Sequence, residues 1–171
     1  MSASEQMPYF IKPSVNLSKV EKEEALQTAC DAITDTLEGE GDVILKMATI
    51  NCLLKTYLPY AYWVGFYLYR DGQLSIGPYQ GTLGCLHIEM GKGVCGRAAA
   101  TRTTQIVDDV HLLSQGNEHI ACDPNSRSEI VLPVFNAQKK LIAVLDIDST
   151  LPSSFDEVDK EYLEGMLRVV F

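Results

Sequence analysis

The stretch YWVGFYLYRDGQLSIGPY, Tyr62 to Tyr79, decides the fold. Its first half is aromatic and β-branched, the composition that suits a pleated, half-buried strand. Asp71-Gly72 then supplies a tight turn, and the chain returns through a second extended run, so the pair reads as a β-hairpin. Side chains alternate across a strand. Val64, Phe66 and Leu68 therefore share one face and belong to a core, while Trp63, Gly65 and Tyr67 share the other. That second face sets an indole and a phenol on either side of a glycine, and the expectation is that the gap at Gly65 leaves room for a ligand.

Upstream of the hairpin the spacing is helical. Between Lys19 and Glu38 the apolar positions Leu26, Cys30, Ile33 and Leu37 line one face. EGEGD, residues 38–42, breaks this helix, and Asp42 caps a second one whose face carries Val43, Met47, Ile50 and Leu54. Residues 1–18 hold two prolines and no periodicity, and are read as an N-terminal arm before a single domain over 19–171. Downstream, Gly84 to Gly96 is rich in glycine and cysteine, and GVCGRAAATR reads as a short helix. SEIVLPVF (128–135) and KLIAVLDIDS (140–149) are two further strands. Ser154 with Glu157 forms a capping box for a last helix with Val158, Tyr162, Met166 and Val169 on one side. Hairpin-linked strands with helices before and after argue an α+β domain with an antiparallel sheet.

The bulk properties narrow the function. A chain of 171 residues fits one domain with a sizeable core. A net charge of −9 without any basic stripe argues against nucleic acid. No apolar run approaches the roughly 18 residues that span a bilayer, so no membrane is expected. MSASEQMPYF lacks the features of a signal peptide. The expected location is the cytoplasm, where disulfides are mostly transient and catalytic. The five cysteines are an odd count, which fits a redox or mixed set better than a closed disulfide framework.

Those cysteines sort into two groups. Cys30 and Cys52 lie in apolar helical surroundings and read as packing residues. Cys85 in TLGCLHIEMG, Cys95 in GKGVCGRA and Cys122 in HIACDPNSRSEIVLP lie instead among glycines and turn formers. Together they suggest one site assembled from separate segments. A metal site would draw on Cys85, His87, Cys95, His119 and Cys122, although no C-x-x-C pair is present. Thiol redox chemistry would use one cysteine to attack and a second to resolve the product. His119 near Cys122 also admits a Cys–His hydrolase, which would still need an oxyanion hole. GKGVCG, Gly91 to Gly96, matches the dinucleotide pattern G-x-G-x-x-G but lacks the preceding buried strand and the acidic residue about 20 positions later. Its glycines are better explained as turns beside Cys95, whose thiol a helix N-terminus would make more acidic.

The acids form a second constellation. In LIAVLDIDS, Asp146 and Asp148 share a strand face, while Leu145 and Ile147 face the other way. Glu129 shares its face with Val131 in SEIVLPVF. The three are either strand-end charges or carboxylates that converge on a pocket, where they would hold an ammonium and keep or donate a proton.

YWVGFYLY, GPYQGTLGCLHIEMGKGVCGRAA, QIVDDVH, HIACD, SEIVLPV, LIAVLDIDS and FDEVD together resemble the free methionine-R-sulfoxide reductases, which are single GAF domains. The resemblance runs from about Val20 to the C-terminus; HLLSQGNEHIACD is a few residues longer than the family's usual form. The resemblance implies a GAF-like fold, with an antiparallel sheet of about six strands flanked by helices. It implies Cys122 as nucleophile, Cys85 as principal resolving cysteine and Cys95 as an auxiliary one. It implies Trp63 and Tyr67 as the wall around the S-methyl end, and Glu129, Asp146 and Asp148 as the carboxylates for the amino group and the sulfoxide oxygen. The implied reaction turns free L-methionine (R)-S-oxide into methionine through a sulfenic acid and a disulfide, needs no cofactor, and relies on thioredoxin for recycling. The resemblance leaves room for a homodimer. The alternative is a GAF-type sensor module that binds a small ligand without chemistry. Such modules are usually joined to an output domain, which is not expected here, and have no use for a catalytic thiol.

Overall fold

A computed structural model describes residues 12–113 and 123–171. The elements run α1 (Lys19–Thr36), α2 (Val43–Tyr57), β1 (Trp63–Arg70), β2 (Gln73–Gln80), β3 (His87–Glu89), α3 (Gly93–Thr101), β4 (Gln105–Val107), α4 (Val110–Leu113), β5 (Ser128–Phe135), β6 (Leu141–Ser149) and α5 (Glu157–Val170). Six strands form one sheet in the order β3-β2-β1-β6-β5-β4, and every neighbouring pair is antiparallel. The expected α+β class and antiparallel sheet are therefore found. The hairpin is β1–β2, and its turn residues Asp71 and Gly72 take φ of 51° and 79°.

The sheet is covered on both faces. Val64, Phe66 and Leu68 of β1 join Ile130, Leu132, Leu145 and Ile147 on one face, where α1, α2 and α5 bring Leu26, Ile33, Met47, Ile50, Leu54 and Leu163. On the other face Trp63, Tyr67, Val131 and Val144 meet Val94, Cys95, Ala98 and Ala99 of α3. The period-two alternation of each strand thus separates the main core from a second layer beneath α3. This second layer contains the site.

Three local expectations need correction. The last helix is capped by Asp156, in a reciprocal box with Asp159, because the Ser154 hydroxyl is engaged in hydrogen bonds to Asn16 and Ser149. Asp159 in turn holds the buried Lys22 Nζ at 2.7 Å and accepts from Tyr60 at 2.7 Å, which ties α5 to α1. The buried face of α5 carries Leu163, Met166, Leu167 and Val170, while Val169 points outward. On α2, Asp42 does cap, its carboxylate accepting from the Leu45 N–H, and Met47, Ile50 and Leu54 are buried. Val43, however, is exposed.

Candidate active site

The wall of the site is built on β1. Trp63 stacks between Tyr67 and Tyr79, with ring centroids 5.9 and 5.4 Å away. Its indole N–H donates to the Thr82 carbonyl at 2.8 Å. The expected gap at Gly65 is not a gap. A Cβ placed there would lie 2.5 Å from the Trp63 ring and 2.4 Å from Tyr79 Cβ. The missing side chain makes room for the indole to lie flat along its own strand, so Gly65 shapes the wall rather than the ligand space.

The floor is set by strand register. Glu129 on β5 pairs with Asp148 on β6, and Asp148 pairs on its other side with Trp63 of β1. Two residues along, Asp146 lies between Val131 and Gly65. All three acids share the face toward α3, as the alternation predicts. Glu129 and Asp146 are buried, and Asp148 is partly so. Burial pushes all three carboxyls well above the usual carboxylate range, and each is pushed further by another: Glu129 by Asp146, Asp146 by Asp148, and Asp148 by Glu129. The Ser126 hydroxyl beside Asp148 and the Arg97 charge near Glu129 act in the opposite direction. Asp146 Oδ1 is buried without a hydrogen-bond partner.

The cysteines divide differently from the sequence expectation. Cys85 lies half-buried in the segment between β2 and β3 and is disulfide-bonded. Cys95 lies on the short helix read from GVCGRAAATR, but not in the open surroundings that its glycine neighbours suggest. It sits in the first turn of α3, buried, with Sγ 3.9 Å from Glu129 Oε1. Gly91 and Gly93, at φ of 81° and 59°, make the turns that bring α3 there, which accounts for the G-x-G-x-x-G pattern without a dinucleotide. The helix N-terminus does not acidify this thiol; burial, followed by Asp146, Glu129 and Asp148, pushes it upward. Cys30 is buried and pushed up to about 12 by burial. Cys52 is exposed, against expectation, because the buried face of α2 passes through Asn51 and Leu54. Cys122 and His119 lie outside the described residues.

One pocket is lined by Trp63, Tyr67, Cys85, Cys95, Glu129, Asp146 and Asp148 together. The structure thus brings to one place every described residue that the sequence singled out for the site. Of the residues weighed as metal ligands, His87 also lines this pocket but is exposed and paired with Ser75 Oγ at 3.1 Å. Among the described residues, the group whose ligand atoms lie mutually within 4.8 Å is Cys95, Glu129 and Asp146. Sequence reasoning missed Asp123. Its carboxylate accepts from the Tyr62 hydroxyl at 2.9 Å and from the Thr82 hydroxyl, while Asn125 donates twice to its other oxygen. The only local signal was the turn chemistry of DPNS.

The GAF domain model matches residues 53–170 of the chain. The free methionine-R-sulfoxide reductase of Escherichia coli (strain K12) is 40% identical over 77% of this chain and 77% of its own length. The chain belongs to the free methionine-R-sulfoxide reductase family of GAF domains. The Saccharomyces cerevisiae free methionine-R-sulfoxide reductase is 37% identical over 92% of this chain and 88% of its own length. Among solved structures, the Neisseria meningitidis free methionine-R-sulfoxide reductase in complex with its substrate superposes with a TM-score of 0.80. It has 34% identity and covers 95% of this chain and 93% of that one. Family membership agrees with the resemblance in the sequence. No helix among the described residues is long and apolar enough to cross a membrane.

Proposed function

We propose that this protein reduces free L-methionine (R)-S-oxide to L-methionine. The observation that carries the reading is the single pocket in which a disulfide-bonded Cys85, a stacked indole wall and three proton-retaining carboxyls meet.

Cys122 attacks the sulfoxide sulfur as a thiolate. As the S–O bond breaks, one of Glu129, Asp146 and Asp148 donates a proton to the departing oxygen, which burial equips it to do near neutral pH. The released hydroxide then attacks Cys122 Sγ as the bond between Cys122 and the substrate sulfur breaks, so methionine leaves and Cys122 holds the oxygen as a sulfenic acid. The Cys85 thiol condenses with it, forming a disulfide and releasing water. Cys95 is the auxiliary thiol; its buried, proton-retaining state makes it the slower partner. A dithiol such as thioredoxin reduces the disulfide by exchange in the cytoplasm. All these residues come from one chain, so a homodimer is compatible with the reaction but not required by it.

Trp63 and Tyr67 take the S-methyl end, which leaves one direction for the oxygen and selects the R epimer. An ionised member of the acid group pairs with the substrate ammonium. A peptide-bound residue offers a neutral amide instead, so the acids would be desolvated without compensation. The test compares free and N-acetyl-amide methionine sulfoxide, each as R and S epimers, with a dithiol reductant, by the methionine or blocked methionine formed. The free R compound alone should be turned over. A blocked R compound that reacts as fast as the free one would sink the reading.

A further inference from the structure

We propose that Cys95, Glu129 and Asp146 form a binding site for a divalent ion of the zinc class at the pocket floor. One thiol sulfur and two carboxylate oxygens lie within 4.8 Å of one another, all on buried residues. They come from α3, β5 and β6, so a helix and two paired strands anchor their backbones. A separate observation points to a missing partner: Asp146 Oδ1 is buried and makes no hydrogen bond. Such an atom costs free energy until a proton or a cation meets it. Arg97 is near enough for its charge to reach Glu129, and its own buried Nε makes no hydrogen bond.

The donor set selects the ion. Magnesium and calcium take oxygen ligands in larger number. A thiolate with two carboxylates and an open position for water suits four-coordinate zinc, or cobalt(II) as its spectroscopic substitute. Uptake displaces the protons that burial holds on these groups, so binding tightens as pH rises. Asp148 from β6 and Tyr67 from β1 also face Cys95, and Arg97 from α3 acts on Glu129. Asp148, Tyr67 and Arg97 modulate the steepness of that dependence. On the functional reading above, the ion occupies space the substrate needs, so the pocket takes one or the other.

The experiment uses the disulfide-containing protein without thiol reductant, titrated with cobalt(II) chloride and followed by absorption. Wild-type protein should bind one equivalent with a thiolate-to-cobalt charge-transfer band, which zinc chloride then abolishes. Cys95→Ser should lose the band, and Cys52→Ser should keep it, since Cys52 is exposed on α2. Loss of a group that merely orients a ligand costs about 10–100-fold in metal affinity, so Asp146→Asn should weaken binding at least tenfold. A missing band in the wild type, or a band that survives Cys95→Ser, would overturn the site. Free methionine (R)-sulfoxide should lower cobalt occupancy; a band untouched by saturating sulfoxide would instead overturn the shared location and count against the substrate placement.

Discussion

Glu129 and Asp148 stand directly opposite each other on β5 and β6, two acids in one cross-strand pair. Like charges at such positions repel, and Asp146 adds a third carboxyl two residues along the same face. The arrangement is tolerable because burial keeps protons on it, and that has a measurable consequence. Groups whose carboxyls are raised in the folded state hold protons that the unfolded chain releases above about pH 4. Their contribution to stability is complete below that pH and is lost as pH rises toward the folded-state values.

Asp146→Asn removes one such proton site without changing the side chain's size. Its stability relative to wild type should therefore become more favourable from pH 4 to pH 8, each tenfold of raised proton affinity being worth about 1.4 kcal/mol. Turnover should fall by about 10²–10³, the usual cost of losing one transition-state interaction. Denaturant unfolding at the two pH values, with rates on the same samples, checks both parts. A stability difference that is flat with pH would contradict the proton-retaining state, and an unchanged rate per folded molecule would make Asp146 structural.

Cys122→Ser should abolish turnover and leave a folded protein, since a hydroxyl is a far weaker nucleophile than a thiolate. In wild-type protein first reduced and then freed of reductant, one round of substrate should yield a disulfide that contains Cys122 and either Cys85 or Cys95. Cys30, with its thiol pushed up to about 12, should take no part. Peptide mapping that found Cys30 or Cys52 as the main partner would move the chemistry elsewhere.

The parts of this molecule legible in its sequence are those whose signals are local. The β1–β2 hairpin has both strand composition and a turn pair, and the acid face of β6 follows from alternation alone. β3 and β4 have three residues each and exist only through pairing with β2 and β5, so no local pattern announced them. Cys52 was misread because α2 is apolar nearly all round. Ile44 and Leu45 are also exposed on it, and composition could not say which side was core. The short helix that carries Cys95 is legible in GVCGRAAATR, but the burial of its thiol is not, because the neighbouring glycines suggest an open turn. Asp123 is invisible without the fold, since its partners Tyr62 and Thr82 are distant in sequence.

Gly65→Ala tests whether the indole wall depends on the absent side chain. The new methyl would sit 2.5 Å from the Trp63 ring and 2.4 Å from Tyr79 Cβ, so the ring must tilt or the strands must part. Overpacking of this kind costs about 1–3 kcal/mol. The expected result is a lower unfolding midpoint, a changed tryptophan fluorescence, and a larger loss in KM than in kcat, because the wall binds rather than reacts. Wild-type stability and fluorescence would mean that the ring has another resting place.

Asp123 supplies the last prediction. It directly follows Cys122 in the chain, and its carboxylate is held by the hydroxyls of Tyr62 and Thr82. Thr82 precedes Cys85 by three residues and also accepts the Trp63 indole N–H through its carbonyl. One carboxylate therefore ties the residue after the proposed nucleophile to the segment of the proposed resolving cysteine. The first step, attack on the sulfoxide, needs Cys122 and the substrate; the second needs two thiol-bearing segments in register. Misplacement of about 1 Å can cost as much as 10²-fold in rate. Asp123→Ala should thus slow disulfide formation by about 10–100-fold more than methionine release in a single turnover without reductant. Sulfenic acid would accumulate and become trappable by a dione reagent. Thr82→Val, which removes one of the two hydroxyl donors, should show the same imbalance to a smaller degree. If both variants close the disulfide as fast as wild type, the carboxylate is a local turn residue and plays no part in bringing the cysteines together.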